Sequence, residues 1–342
     1  MRGVLLAHFA RYPAMTAQDA VKLLYQATFG PGHLIADPAV AARRLSEERA
    51  ERAKTDAAAF ESIGGGFCRL HLGAEELETV PDELLNRIFL LSAEKTGDME
   101  IFSARLAELE ALAAEGAAPF SAQNLAEYLA SYRAEGCPMV SHSPAYRNAY
   151  APAYRVVRAE YARLLPLLQR VSAMKRGVIA IDGRAASGKS TLAAQLSRLL
   201  QAPVVHMDDF FLPPTKRTAE RLAEPGGNVD YERFADEVLP GLKTGDFSYG
   251  VFDCSVMRVT ERAAVPAALW RIVEGSYSHH PFFAGYADLR VFLTVPPEEQ
   301  LRRIVLRNGD EMAEVFKTRW IPMEEHYFDT FRVRSKADLV LE

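Results

Sequence analysis

Little in this chain points to a metal centre, a disulfide framework or a membrane. Its three cysteines, Cys68, Cys137 and Cys254, are far apart and odd in number. No CxxC pair offers zinc-ligand spacing, and no even set offers a disulfide framework. Free thiols in a reducing cytoplasm are therefore expected. No run approaches the roughly 20 apolar residues of a membrane span. The opening Gly3–Ala7 run is short and has no small-residue cleavage site, so it reads as no secretory leader. Charge of one sign is also scarce: the net charge of −5 argues against a general nucleic-acid binder. His33, His71 and His142, with Glu48 or Glu61, match no ligand spacing such as HExxH, and ordinary hydrogen-bonded histidines are expected. Neither an NKxD guanine motif nor the signature of an ABC-type ATPase is found.

What is present is a globular composition, 49% hydrophobic and 25% charged, over 342 residues. That length favours two domains. Residues 1–172 read as mainly helical, with Ala17–Gln26, Ala39–Lys54, Leu84–Leu91, Phe102–Ala113 and Ser121–Ala134 as helices. Cys68–Leu72 reads as a short strand and Gly64–Gly66 as a flexible turn. The segments Ser141–Arg147 and Pro152–Arg155 pair aromatics with arginines. They are expected to lead into a long helix over 153–171, followed by a hinge at 172–177.

Residues 173–342 read as an α/β domain, with a parallel sheet flanked by helices. Its centre is Gly183-Arg184-Ala185-Ala186-Ser187-Gly188-Lys189-Ser190-Thr191, a GxxxxGK[ST] pattern. The apolar run Val178–Asp182 before it predicts a buried strand. Leu192, Leu196, Leu199 and Leu200 after it predict an amphipathic helix. Strand, glycine loop and helix together are the context that marks a phosphate-binding loop. The backbone N–H groups of such a loop converge on an anion, and the helix N-terminus adds about half a positive charge. Gly183, Ala185, Ala186, Ser187, Gly188, Lys189, Ser190 and Thr191 are thus the phosphate-binding candidates. Lys189 would reach the outer phosphates, and the Ser190 hydroxyl would ligate Mg²⁺.

Four further strands are expected at Pro203–Met207, Leu269–Val273, Leu289–Val295 and Ala337–Leu341. Asp208 and Glu274 stand at the C-terminal ends of two of them, where an open α/β sheet places its ligand crevice. The helix Glu298–Leu306 leads on to Arg307. Its Arg303 and Arg307 are four apart and share one face, suited to closing over a transferring phosphoryl group.

The ordered set Gly183–Thr191, Met207–Phe211, Asn228-Val229-Asp230-Tyr231 and Val273-Glu274-Gly275 resembles the uridine kinase and phosphoribulokinase group of P-loop small-molecule kinases, over residues 176–342. The resemblance implies ATP and Mg²⁺ as cofactors and a small, nucleoside-like acceptor. Asp208 would be the base toward the acceptor hydroxyl, and Ser190, Asp208 and Glu274 would surround Mg²⁺. Asp230 and Tyr231 would meet the ribose side of the acceptor. Phe252 and Arg258 would lie at the base pocket, and His279 or His280 at the acceptor or in a structural role. The chain departs from the group where a histidine, an Arg-Gly-Arg segment and the residues after Glu274 are concerned. These departures fall on acceptor recognition. An ATPase switch working on residues 1–172 is the competing reading. Those residues resemble no group, and their expected roles are substrate selection, cover of the acceptor site, a second activity or assembly of a homo-oligomer.

Overall fold

The structure, a computed structural model, describes residues 1–32, 37–93 and 97–342. His33 therefore lies outside the described residues. The chain divides into two compact units, Met1–Ala173 and Met174–Glu342.

The first unit runs α1 (Arg2–Arg11), α2 (Ala17–Phe29), α3 (Pro38–Ala50), β1 (Phe60–Gly64), β2 (Phe67–His71), α4 (Asp82–Leu91), α5 (Met99–Ala114), α6 (Ala122–Ala134), α7 (Pro144–Tyr150), β3 (Tyr154–Arg158) and α8 (Leu165–Ser172). Its helices start where the sequence supplies caps. At α2, Thr16 and Asp19 form a reciprocal capping box. Asp98 and Ser121 accept backbone N–H groups at α5 and α6. The buried face of α2, including Val21, Leu24 and the adjoining Ala20, joins Phe102, Leu109, Leu125 and Leu129 in one core.

The long helix expected over 153–171 is not formed. Tyr154–Arg158 is instead the third strand of an antiparallel sheet, order β1-β2-β3, with Leu70 opposite Arg155 and Cys68 opposite Val157. A Tyr-Arg-Val-Val-Arg stretch is rich in β-branched and aromatic residues, and a partner strand decides it in favour of β. The helix begins only at Leu165, with Pro166 in its first turn. The three glycines between β1 and β2 all have positive φ. A Cβ on Gly65 would lie 1.9 Å from the Ala27 carbonyl oxygen, so the turn needs glycine there. Helix α1 also went unread in the sequence.

The second unit runs β4 (Gly177–Gly183), α9 (Lys189–Leu200), β5 (Val204–His206), α10 (Ala219–Ala223), α11 (Tyr231–Glu237), β6 (Phe247–Asp253), β7 (Arg258–Val265), β8 (Trp270–Glu274), β9 (Leu289–Leu293), α12 (Pro297–Val315), α13 (Ile321–Phe331), α14 (Val333–Lys336) and β10 (Leu339–Leu341). Five strands form a parallel sheet in the order β10-β9-β4-β8-β5. Residues Val178–Gly183 of β4 are buried, as expected of a strand covered on both faces. The sheet thus matches the five expected strands. The antiparallel β6–β7 hairpin was not expected, because β7 is exposed along most of its length and carries no apolar periodicity. Two irregularities mark the C-terminal helices. Gly309 breaks α12 with φ 79° and ψ 170°, and a π-helical turn over Phe316–Trp320 joins α12 to α13.

Candidate nucleotide site

The site is built at the C-terminal edge of the parallel sheet, between the end of β4 and the start of α9. Gly183 has φ +140°, and a Cβ there would lie 2.0 Å from the Leu293 carbonyl oxygen on the neighbouring β9. Only glycine lets the chain leave the sheet so close to its neighbour. Gly188 is left-handed and opens α9, while Ala186 holds φ +57° without being glycine. The Lys189 ammonium donates to the carbonyls of Gly183 and Arg184 at 2.8 and 3.0 Å, spanning the loop from inside. Among the described residues, the buried Ser187 hydroxyl finds no partner. A buried donor left open in a loop of converging N–H groups fits an anionic ligand.

Acidic groups face the loop. Glu274, buried at the end of β8, accepts from the Ser190 hydroxyl at 3.2 Å to each oxygen. His206, at the end of β5, places Nδ1 2.6 Å from Glu274 Oε1. That hydrogen bond raises the His206 pKa against the effect of burial. Asp208 lies two residues further on. Its side chain opens to the cavity yet is hemmed in by the protein around it. Burial and the charge of Glu274 raise its pKa, while Lys189 and His206 pull the other way. Asp208 and Glu274 line a cavity of about 810 Å³ together with Ala185–Thr191, Arg303 and Arg307. That size lies within the range of ligand pockets. From α12, the Arg303 guanidinium reaches the Ala186 carbonyl at 3.3 Å. Arg307 lies with its guanidinium carbon 6.0 Å from the Phe316 ring centre. The arrangement can hold a polyphosphate, set oxygen ligands around a divalent cation and present a carboxylate to an acceptor.

No family model matches the chain. Over 141 residues, 41% of its length, it is 24% identical to a cytidylate kinase of Pyrobaculum arsenaticum. The match spans 65% of that relative, slightly under two thirds. A solved structure described as a possible uridine kinase from Bacillus stearothermophilus is 23% identical, with a TM-score of 0.42, over 53% of this chain and 97% of that one. A shikimate kinase from Bacteroides thetaiotaomicron is 17% identical, with a TM-score of 0.24, over 48% of this chain and 83% of that one. Over 41% of its length, the chain is thus similar in sequence to a kinase.

Of the residues singled out in the sequence, Ala185, Ala186, Ser187, Gly188, Lys189, Ser190, Thr191, Asp208, Glu274, Arg303 and Arg307 line this cavity. Gly183 lies buried beneath it, and Arg302, the third arginine of α12, pairs outward with Glu299. The acceptor candidates are placed otherwise. Asp230 is buried, caps α11 through the Arg233 N–H and binds the Lys216 ammonium at 2.8 Å. Tyr231 stacks on His280 and lies under the Arg221 guanidinium, whose carbon is 3.6 Å from the ring centre. His280 donates from Nε2 to the Pro225 carbonyl at 3.2 Å and accepts the Phe282 N–H at Nδ1 at 3.2 Å. Phe252 is buried in β6 and Arg258 is exposed in β7. None of these five lines the cavity.

In their place stand Phe211, Asn228, Val229 and Cys254 near Asp208, and Met312, Phe316 and Trp320 near the arginines. Glu324, on α13, was also missed; it lines the cavity and accepts from the Ala185 N–H at 2.9 Å. Phe211, Asn228 and Val229 stand within the stretches that carry the resemblance, but no local motif marks Cys254, Met312, Phe316, Trp320 or Glu324, which distant packing brings to the cavity. Among the described residues, no three His, Cys, Asp or Glu side chains gather as a metal site. His71 faces Glu61 and His142 faces Asp19. No described helix is long and apolar enough to cross a membrane.

Proposed function

We propose that the chain is an ATP-dependent kinase that transfers a phosphoryl group to a hydroxyl of a small, nucleoside-like molecule. The observation that carries this reading is the convergence of Lys189, Asp208, the Ser190–Glu274 pair and Arg303 on one cavity. Phosphoryl transfer asks little more of a protein than positioning and compensation of charge. The loop N–H groups and Lys189 bind the phosphates of the donor. Arg303 and Arg307 neutralise charge on the phosphoryl group in flight. Asp208 orients the acceptor hydroxyl and receives its proton; its raised pKa suits that task. Ser190, Glu274 and Asp208 would hold Mg²⁺ through oxygen ligands, and the ion would supply charge compensation. Phe211, Asn228, Val229 and Cys254 form the acceptor wall on the cavity that Asp208 lines. The exposed thiol of Cys254 fits a reducing, cytoplasmic setting.

The test is Asp208→Asn, assayed for ADP release with a panel of nucleosides and other small alcohols. Acceptor phosphorylation should fall by about 10²–10⁴, the usual size of a general-base contribution, while ATP binding persists. ATP turnover that needs no acceptor and ignores this substitution would instead support the ATPase switch.

A further inference from the structure

Helix α13 grips the phosphate loop at consecutive points. Glu324 is buried there, with Oε2 accepting the Ala185 N–H at 2.9 Å and Oε1 accepting the Ser276 hydroxyl at 2.6 Å. Its neighbour Glu325 pairs with the Arg184 guanidinium at 3.1 Å. Further along the helix, the Tyr327 hydroxyl donates to Asp182 at 2.9 Å. Residues 182, 184 and 185 are thus all held from one helix. That helix continues, through the π-helical turn, from the part of α12 that follows the break at Gly309; Arg303 and Arg307 lie before the break.

The loop has reason to be held. Ala186, next to Ala185, keeps a left-handed conformation that a residue with a Cβ avoids. Such strain persists only where the surroundings over-determine it. The N–H that Glu324 binds belongs to the residue just before the strained one. A carboxylate is a strong acceptor, and a buried one is firmly placed. Lys189 and Asp182 on the loop side, and the Arg184–Glu325 pair beside it, are the charges around Glu324. Burial raises its pKa, and Lys189 opposes the rise. Phosphates entering the loop would add negative charge nearby. The carboxylate therefore stands where a bare acid is costly, and its two hydrogen bonds give it a specific task there.

We propose that Glu324 is a positioning residue for the phosphate loop. It fixes Ala185 and Ser276 to α13, so that the loop after β4 and the segment after β8 share one anchor. This rests on the reading of the cavity as a nucleotide site. Glutamine at this position keeps both hydrogen bonds without the charge, because its amide oxygen accepts from Ala185 and its amide nitrogen donates to Ser276. Alanine removes both.

Calorimetric titration with Mg·ATP, without acceptor, tests the clasp. Glu324→Ala should weaken binding by about 10- to 100-fold, the worth of a hydrogen bond to a charged group. Glu324→Gln should return it to within about threefold, and Ser276→Ala should fall between the two. In the acceptor assay the alanine variant should raise KM for ATP far more than it lowers kcat. Should Glu324→Ala bind as the unaltered protein does, or Glu324→Gln bind as weakly as the alanine variant, the clasp is wrong while the nucleotide reading stands. Failure of the unaltered protein to bind Mg·ATP removes both.

Discussion

Each unit buries an acid, and the two are treated in opposite ways. Asp19, in the first unit, accepts from His142, from the backbone and hydroxyl of Ser143, and from the backbone and hydroxyl of Thr16, all within 3.1 Å. Burial alone would raise its pKa, but these donors hold it well below the ordinary carboxylate range. Glu324, in the second unit, has two donors and a raised pKa, because burial outweighs them. The first is an acid saturated by its own fold: it caps α2, orients His142 and ties Ser143 to the helix start. The second is left underserved beside a cavity that also holds the Ser187 hydroxyl, unpartnered among the described residues. Saturation marks architecture, and shortfall beside a cavity marks a place prepared for a ligand.

Arg69 is the point at which this contrast can be broken. It is completely buried in the first unit, yet its Nε and Nη2 have no partner among the described residues. It contacts Glu61 at 3.5 Å and the Tyr146 hydroxyl at 3.2 Å, and lies over the Tyr154 ring. If the first unit is purely architectural, Arg69→Met should cost about 3–5 kcal/mol in urea unfolding, because Glu61 loses a buried partner. A smaller loss would show that the cluster does something other than hold the fold.

A weaker effect belongs to Glu61 itself. Burial would raise its pKa, but His71, Arg69 and Tyr12 together lower it to about 2. A depressed acid stabilises the fold above its unfolded pKa, near 4.5, and that stability drains away as pH falls toward 2. The loss should approach about 3 kcal/mol across this window and should vanish in Glu61→Gln. Chemical unfolding of the full chain at several acidic pH values measures it. The smallest change is expected at Arg302, whose partner Glu299 lies at the surface. Arg302→Ala should move the melting temperature by no more than about one degree and leave ATP affinity unchanged. An appreciable loss of affinity there would bring all three arginines of α12 into the site.

How far the sequence foretold this depends on how local each signal is. The sheet of the second unit was legible because its buried parallel strands are unbroken apolar runs such as Val178–Ile181. The phosphate loop was legible because nine consecutive residues carry it. Strand β3 was not, since five residues between helix-compatible neighbours take their state from β2, far earlier in the chain. Nor was Glu324, which meets Ala185 from 139 residues away. The acceptor candidates came from resemblance rather than from placement. The fold uses Asp230 as a helix cap and His280 as a stacking partner.

The strand order has a consequence for how the protein is made. β4 lies at the middle of the sheet, but its two neighbours, Trp270–Glu274 and Leu289–Leu293, are synthesised long after it. Until they emerge from the ribosome, the apolar run of β4 has no sheet to enter. Gly183 likewise lacks the Leu293 carbonyl against which it is fitted. Parallel pairings between such distant segments form slowly. The nucleotide loop is thus translated early and shaped late. A nascent chain halted before β9 would expose β4 as a target for chaperones while its GxxxxGK[ST] sequence is already complete.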